Sequence, residues 1–446
     1  MSKLLGPDAM RSLIRKALEH SRAEQTEVGL FAGGWALTRF ANSQVHQNMA
    51  SDDVVMQVRA VFGKRVAAGS ANVTGNGDVR SLVDNVVKMA RLTDENPDFV
   101  SLPSPDGTAP AVDPYRQATA DSPPSQRAEA VRALVAESDR IGGTAAGSFF
   151  TRSYEHAVAN TLGVDSYYRG TAARLMTVVT GPDGGFGYAA ASSSDVSDID
   201  AVAVGAEASR VAADSMNPTD FEPGEYATIL MPYAVSDMVG MLAWMGFNAL
   251  AYQEGRSFVC GKLGQKIVDE SVSIWDDGGD MRTLAAPYDA EGVPKQRVDL
   301  IKSGVASGLL YDSYTAHREG KKSTGHGLGG PSELNGSWLN LVMVPGAATV
   351  DEMVAGTKRG LLVTRFHYTN VAHLMTATIT GMTRDGTFLI ENGRISGPVK
   401  NLRFTQSITD ALSNVEMIGR DLKLDDGVLA PAIKVRRFRF SSATQF

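Results

Sequence analysis

The 446-residue chain is 43% hydrophobic, 21% charged and 7% aromatic, an ordinary globular composition that excludes disorder, collagen and coiled coil as overall descriptions. Its formal charge of −7 gives no global field toward nucleic acid or anionic membranes. A single cysteine, Cys260, allows neither an intrachain disulfide nor a Cys-based zinc cluster, and no apolar run reaches 18 residues, so a cytoplasmic protein with no membrane span is expected.

From Pro7 to Ala23 the apolar Met10, Leu13, Ile14, Ala17 and Leu18 share one face and predict a surface helix. Short β-like runs begin at Glu27, and residues 53–73 read as a hairpin turning at Phe62-Gly63-Lys64. Asp78 to Leu92 returns to helical spacing. Residues 94–124 hold seven of the 18 prolines, which predicts a wrapped loop. A helix is expected over Ser125–Ile141, strands over 147–160 and 164–180, and an Ala/Val-rich helix over Asp198–Met216. Two prolines in Asn217–Gly224 place a domain boundary there, giving domains at 1–216 and 217–446.

The second half reads mostly as strands. An apolar helix is expected from Ala234 to Tyr252, and the capping box Thr349/Glu352 starts another. Asp385-Gly386 and Asn392-Gly393 flank Thr387–Glu391, and these turn pairs predict three consecutive antiparallel strands.

None of the seven histidines is followed by Glu, and no two lie four or five residues apart. An H-E-x-x-H zinc helix is therefore absent. His367 and His373 on one strand would stand roughly 20 Å apart at ~3.3 Å per residue, too far for one metal. Gly325-His326-Gly327-Leu328-Gly329-Gly330 matches G-x-G-x-x-G but follows a polar run instead of a strand, so it lacks the dinucleotide context and reads as a glycine loop near a ligand. P-loop and G-x-S-x-G motifs are absent. Cys260 reads as a small buried hydrophobe. Arg365-Phe-His-Tyr-Thr-Asn370 concentrates an imidazole, a phenol and an amide, which serve equally to orient an amide-bearing ligand or to finish a polar strand end.

Several longer stretches resemble the TldD/PmbA (TldE) family. They are Pro287-Tyr-Asp-Ala-Glu-Gly-Val-Pro294, Ser303–His317, Ser323-Thr-Gly-His326, Arg365–Asn370 and Gly381–Gly393 followed by Gly397-Pro398 and Arg403-Phe404. The resemblance implies an α+β protein of two domains, an N-terminal α+β domain with an antiparallel sheet and a β-rich, barrel-like C-terminal domain, forming dimers around a substrate chamber. In active TldD chains it implies an H-E-x-x-x-H helix and a late cysteine that hold a metal, with the glutamate as base. The matching helix here, about Ala234–Tyr252, has no His and no Glu, and Ile418 stands where the cysteine would be. This departure places the chain with the PmbA/TldE half. The resemblance then implies no cofactor in this chain, zinc in a TldD-type H-E-x-x-x-H partner, and a peptide substrate bound near His367, Tyr368, Thr369, Asn370 and His326. Two other readings stand beside it: a homodimeric metal-free enzyme for amide or small-molecule chemistry using His326 or His367 as acid or base, and a peptide-binding module without chemistry.

Overall fold

The computed structural model describes residues 4–328 and 339–444; Gly329 and Gly330 of the glycine motif lie outside them. The fold is α+β and contains two sheets. The first is antiparallel, in the order β3-β2-β1-β4-β5-β6, from β1 (Gln25–Ala41), β2 (Gln44–Phe62), β3 (Arg65–Asn72), β4 (Thr144–Asn160), β5 (Asp165–Thr180) and β6 (Phe186–Ser193). Where short runs were expected after Glu27, β1 and β2 form one long hairpin. Its two-residue turn, Asn42-Ser43, has φ of 51° and 58°, the left-handed pair that suits the twist of adjoining strands.

Alternation along these strands sorts side chains between the two faces. Val28 and Leu30 of β1 and Met56 and Val58 of β2 pack against α1 (Pro7–His20) and α2 (Asn76–Leu92), through Met10, Ile14, Val83 and Val86. Farther along the same face, Phe40, Phe149 and Leu175 pack against α4 (Pro124–Asp139) and α5 (Ala201–Asp214). The contact with α5 is close: a Cβ on Gly187 would lie 1.9 Å from the Ala208 carbonyl oxygen. Within residues 94–124 the helical residues are the single-turn α3 (Gln117–Ala120) and Pro124, the first residue of α4. The opposite face of the sheet, with Phe31, Arg152, Tyr154 and Arg174, turns toward the second half of the chain.

That half is built on β7 (Gly224–Leu230), β8 (Ile274–Asp276), β9 (Val298–Lys302), β10 (Val305–Ala306), β11 (Leu341–Met343), β12 (Arg359–His373), β13 (Thr378–Glu391), β14 (Arg394–Pro398), β15 (Leu402–Ser407), β16 (Val415–Asp425) and β17 (Val428–Ala443). β7, β12, β13, β15 and β17 pair in sequence, and β17 pairs back to β7, so five strands close a ring. The barrel-like expectation is met by that closure, which removes free edges from the ring. The helices are α6 (Pro232–Gly246), α7 (Ala249–Gln253), α8 (Ser313–Arg318), α9 (Val350–Ala355) and α10 (Ile408–Ser413).

Two expectations are corrected. The single helix over Ala234–Tyr252 is two, because the Asn248 side chain accepts from the Leu250 and Ala251 amides and starts a new helix. Asp385-Gly386 is a bend within β13, not a hairpin turn: Asp385 is buried and paired with Arg365, and a Cβ on Gly386 would lie 2.6 Å from Thr364 Oγ1. The capping box at Thr349/Glu352 forms as expected.

A buried ion cluster joins the two halves. Arg59 Nη2 of β2 lies 2.9 Å from Glu27 of β1 and 2.9 Å from Glu291. Glu291 also accepts from the Ser313 amide at 2.9 Å and its hydroxyl at 2.8 Å. Burial pushes Glu27 up to about 7 against the pull of Arg59, and burial with the neighbouring Glu291 pushes Asp312 up to about 6.

Candidate functional site

The ring places α6 directly after β7, against β12 and β17. The helix is apolar on nearly every side, and its one charged residue is Asp237. Asp237 opens into a polar pocket of about 250 Å³ that is also lined by Arg174 and Tyr188 from the first sheet, Arg365 and His367 from β12, and Asp425.

Why β12 presents these groups follows from its register. His367 pairs with Met382 and Asn370 with Thr380, so Tyr368 and Thr369 stand opposite Gly381 alone. This is a β-bulge, a device that re-aims side chains. Tyr368 takes φ of 53° and is 75% exposed, its ring edge-on to His367 with 4.7 Å between centroids. Thr369 donates to Asp237 at 3.0 Å, and Asn370 donates to the Tyr368 carbonyl at 2.8 Å.

The protein mass around the pocket disfavours the charged form of Asp237 and pushes it up to about 6, although Thr369 and Arg365 oppose the rise. Desolvation, then Arg384 and Arg365, lowers His367 and favours its neutral imidazole. Arg365 is fixed by Asp385, with Nε–Oδ2 at 2.6 Å, and lies 4.1 Å from the Tyr188 ring centroid. Arg174 pairs with Asp425 at 2.7 Å and donates to Tyr188 at 3.0 Å.

His326 lies elsewhere. It is 5% exposed, and the void beside it holds about 10 Å³, room for one water at most. Nε2 lies 2.8 Å from Asp276 and Nδ1 2.9 Å from the Thr324 hydroxyl. Burial lowers His326. It would raise Asp276, but Lys295 and His326 outweigh that and hold the carboxyl well below the usual range. Around it the glycines are packed, not open: a Cβ on Gly325 would lie 2.4 Å from the Pro294 carbonyl oxygen. His367, Tyr368, Thr369 and Asn370 are thus brought together, and His326 is not among them. Cys260 is half-buried, its Sγ 3.4 Å from the Tyr252 carbonyl oxygen.

Asp237 was not singled out by sequence reasoning. Its only signal was a carboxylate alone on an otherwise apolar helix.

The arrangement is that of an α+β protein whose cleft lies between an antiparallel sheet and a closed β-ring, with α6 facing it. Residues 117–216 match the PmbA/TldA metallopeptidase central domain and residues 223–442 the C-terminal domain of the same family. The chain belongs to the PmbA/TldD metallopeptidase family. It is 26% identical over 320 residues to the metalloprotease PmbA of Escherichia coli O157:H7, covering 69% of this chain and 68% of that one. A zinc metalloprotease TldD homolog of Saccharolobus solfataricus is 26% identical over 226 residues, 46% of each chain, so the match spans less than half of that relative. The crystal structure of TldE from Thermococcus kodakarensis superposes with a TM-score of 0.87 at 19% identity, covering 97% of this chain and 99% of that one; the two share a fold.

A zinc ion does not fit the donors of the described residues. α6 has no His, Cys or Glu, and Ile418 is 7% exposed within the core. Among the described residues no group of three or more His, Cys, Asp or Glu is placed to hold a metal. The purified chain is expected to carry far less than one zinc per protomer and to keep its fold after chelation. Elemental analysis giving one tightly bound metal per chain would overturn this.

The bulge makes a second expectation. Replacing His367, Tyr368 or Asn370 singly with Ala should weaken peptide binding or processing while changing stability by no more than about 0.5 kcal/mol, the usual range for surface positions. Lower melting temperatures with normal turnover would make these residues structural.

Proposed function

We propose that this chain is the PmbA/TldE-like, metal-free subunit of a heteromeric TldD/TldE-type metallopeptidase that processes unstructured or modified peptides in the cytoplasm. The observation that carries the reading is α6: it lines the cleft where the resemblance puts the zinc helix, yet brings only Tyr233 and Asp237 to the pocket, while the cleft keeps a bulge of polar and aromatic groups suited to holding a peptide. Zinc and the general base belong to an H-E-x-x-x-H partner. This chain contributes one wall of the chamber, through His367, Tyr368, Thr369 and Asn370, with its two domains meeting at Asn217–Gly224.

Asp237 favours one further reading. A carboxyl pushed to about 6 in the same pocket as an imidazole whose neutral form is favoured offers an acid and a base for a homodimeric, metal-free amide hydrolase. Co-expression with an H-E-x-x-x-H paralogue, followed by size exclusion and cleavage of a flexible peptide, separates the two. The subunit reading expects a heteromer and chelator-sensitive cleavage only in the mixture. Robust cleavage by this chain alone, unaffected by chelators, would move the chemistry to Asp237 and His367.

A further inference from the structure

A second cavity, of about 550 Å³, adjoins the polar pocket and shares Arg174 and Asp426 with it. Its walls are largely apolar: Phe31, Phe150, Tyr154 and Ala172 from the first sheet, with Leu284 and Ala286 from the second half of the chain. Three polar atoms in this lining are buried without a hydrogen-bond partner: Tyr168 Oη, Ser192 Oγ and Arg152 Nε. Tyr168 is only 6% exposed. Buried donors are seldom left unpaired, because each gives up its water without a replacement.

The charges are also uneven. Arg174 is answered by Asp425 at 2.7 Å, with Asp426 acting on it as well. Arg152 has no carboxylate within ion-pair distance among the described residues; its guanidinium rests 4.6 Å from the Tyr154 ring centroid. With Asp426, the one carboxylate in the lining, acting on Arg174, the cavity offers in Arg152 a cation without an ion-pair partner among the described residues, two hydroxyls and an aromatic wall, and it calls for a ligand that joins an anion to a large apolar group.

We propose that this cavity is the subsite for the C-terminal residue of a peptide substrate, with its free carboxylate on Arg152 and a large apolar or aromatic side chain against Phe31, Phe150 and Tyr154. An internal aspartate or glutamate brings a carboxylate but little apolar surface. At a C-terminal residue the carboxylate and a bulky side chain leave the same Cα, matching a cation beside an aromatic wall. The shared Arg174 and Asp426 direct the preceding peptide bond toward Asp237 and His367. The inference rests on the peptide-processing reading and adds to it a substrate class: flexible peptides ending in Phe, Tyr, Leu or a residue of similar bulk.

The test uses the full chain and three labelled peptides that differ only at the end: Phe with a free carboxylate, Phe amide, and Gly with a free carboxylate. Titration calorimetry should show the Phe acid binding about tenfold more tightly than either of the others. Arg152→Met should remove the preference for acid over amide, and Ser192→Ala should weaken the acid by a smaller factor. Equal affinities of wild type for Phe acid and Phe amide would overturn the proposal, and that comparison needs no variant to fold. An acid preference that survives in a folded Arg152→Met protein would also overturn it. Binding is scored apart from cleavage: acid-selective binding with no cleavage in any pairing sinks the processing reading alone, and partner-dependent cleavage indifferent to the peptide's end sinks the subsite alone.

Discussion

Arg59→Met is expected to cost about 3–5 kcal/mol of unfolding free energy at pH 8, the usual cost of breaking a buried ion pair from one side. Arg59 is 4% exposed and answers both Glu27 and Glu291, so its loss leaves buried carboxylates without a cation. The effect should shrink at pH 5. Glu27 is raised to about 7 in the fold, from 4.5; between these values the folded state binds more protons than the unfolded one, and stability from this group falls as pH rises. At pH 5 Glu27 already holds its proton and needs the arginine less. Urea unfolding of both proteins at the two pH values measures this directly, and a loss that is equal at both or larger at pH 5 would contradict the assignment. Because Glu291 belongs to the Pro287–Pro294 stretch and Arg59 to the first sheet, the loss should appear as one cooperative transition moved downward.

Much of the fold was legible because its elements are locally consistent. α2 and α4 carry apolar stripes at helical spacing, and β5 is a run of β-branched and aromatic residues, so periodicity located them within a few residues. The long first hairpin was not legible, since Gly33, Gly34 and the polar stretch of β2 weaken the alternation, and Asn42-Ser43 is a less familiar turn pair than Asn-Gly. Asp385-Gly386 misled for a tertiary reason. The pair has turn chemistry, but Arg365 on the neighbouring strand holds Asp385 and keeps the strand going. The closure of β17 onto β7 joins strands about two hundred residues apart, which no local pattern records; only the family resemblance pointed to it.

The site was half legible. Composition alone drew attention to Arg365–Asn370, but the bulge that turns Tyr368 and Thr369 outward depends on the pairing with β13. His326 and His367 were alike in the sequence only as candidate acids or bases. The difference is long-range: Asp276, 50 residues upstream, fills its hydrogen-bonding capacity inside the core. Asp237 went unnoticed because attention to the α6 position was on His and Glu, the residues a zinc site needs. Its position is unusual only once the helix is seen to line a cleft.

That cleft makes the last prediction a comparison of two carboxylates. In a heteromer with an H-E-x-x-x-H partner, converting the partner's glutamate to Gln should lower cleavage at least about 100-fold, the contribution of a positioned general base. Asp237→Asn in this chain should cost less than about tenfold, because Asn keeps the size of the side chain and can still accept from Thr369. The pH profile gives a second readout. If Asp237 were the base, cleavage would climb as its proton is lost near pH 6, and that limb would vanish in Asp237→Asn. If the base is the partner's, the limb stays where it is in both proteins and moves only when the partner is changed. A large loss with Asp237→Asn, a small one with the partner's Gln, and a pH limb that follows Asp237 would together transfer catalysis to this chain and leave the partner as scaffold.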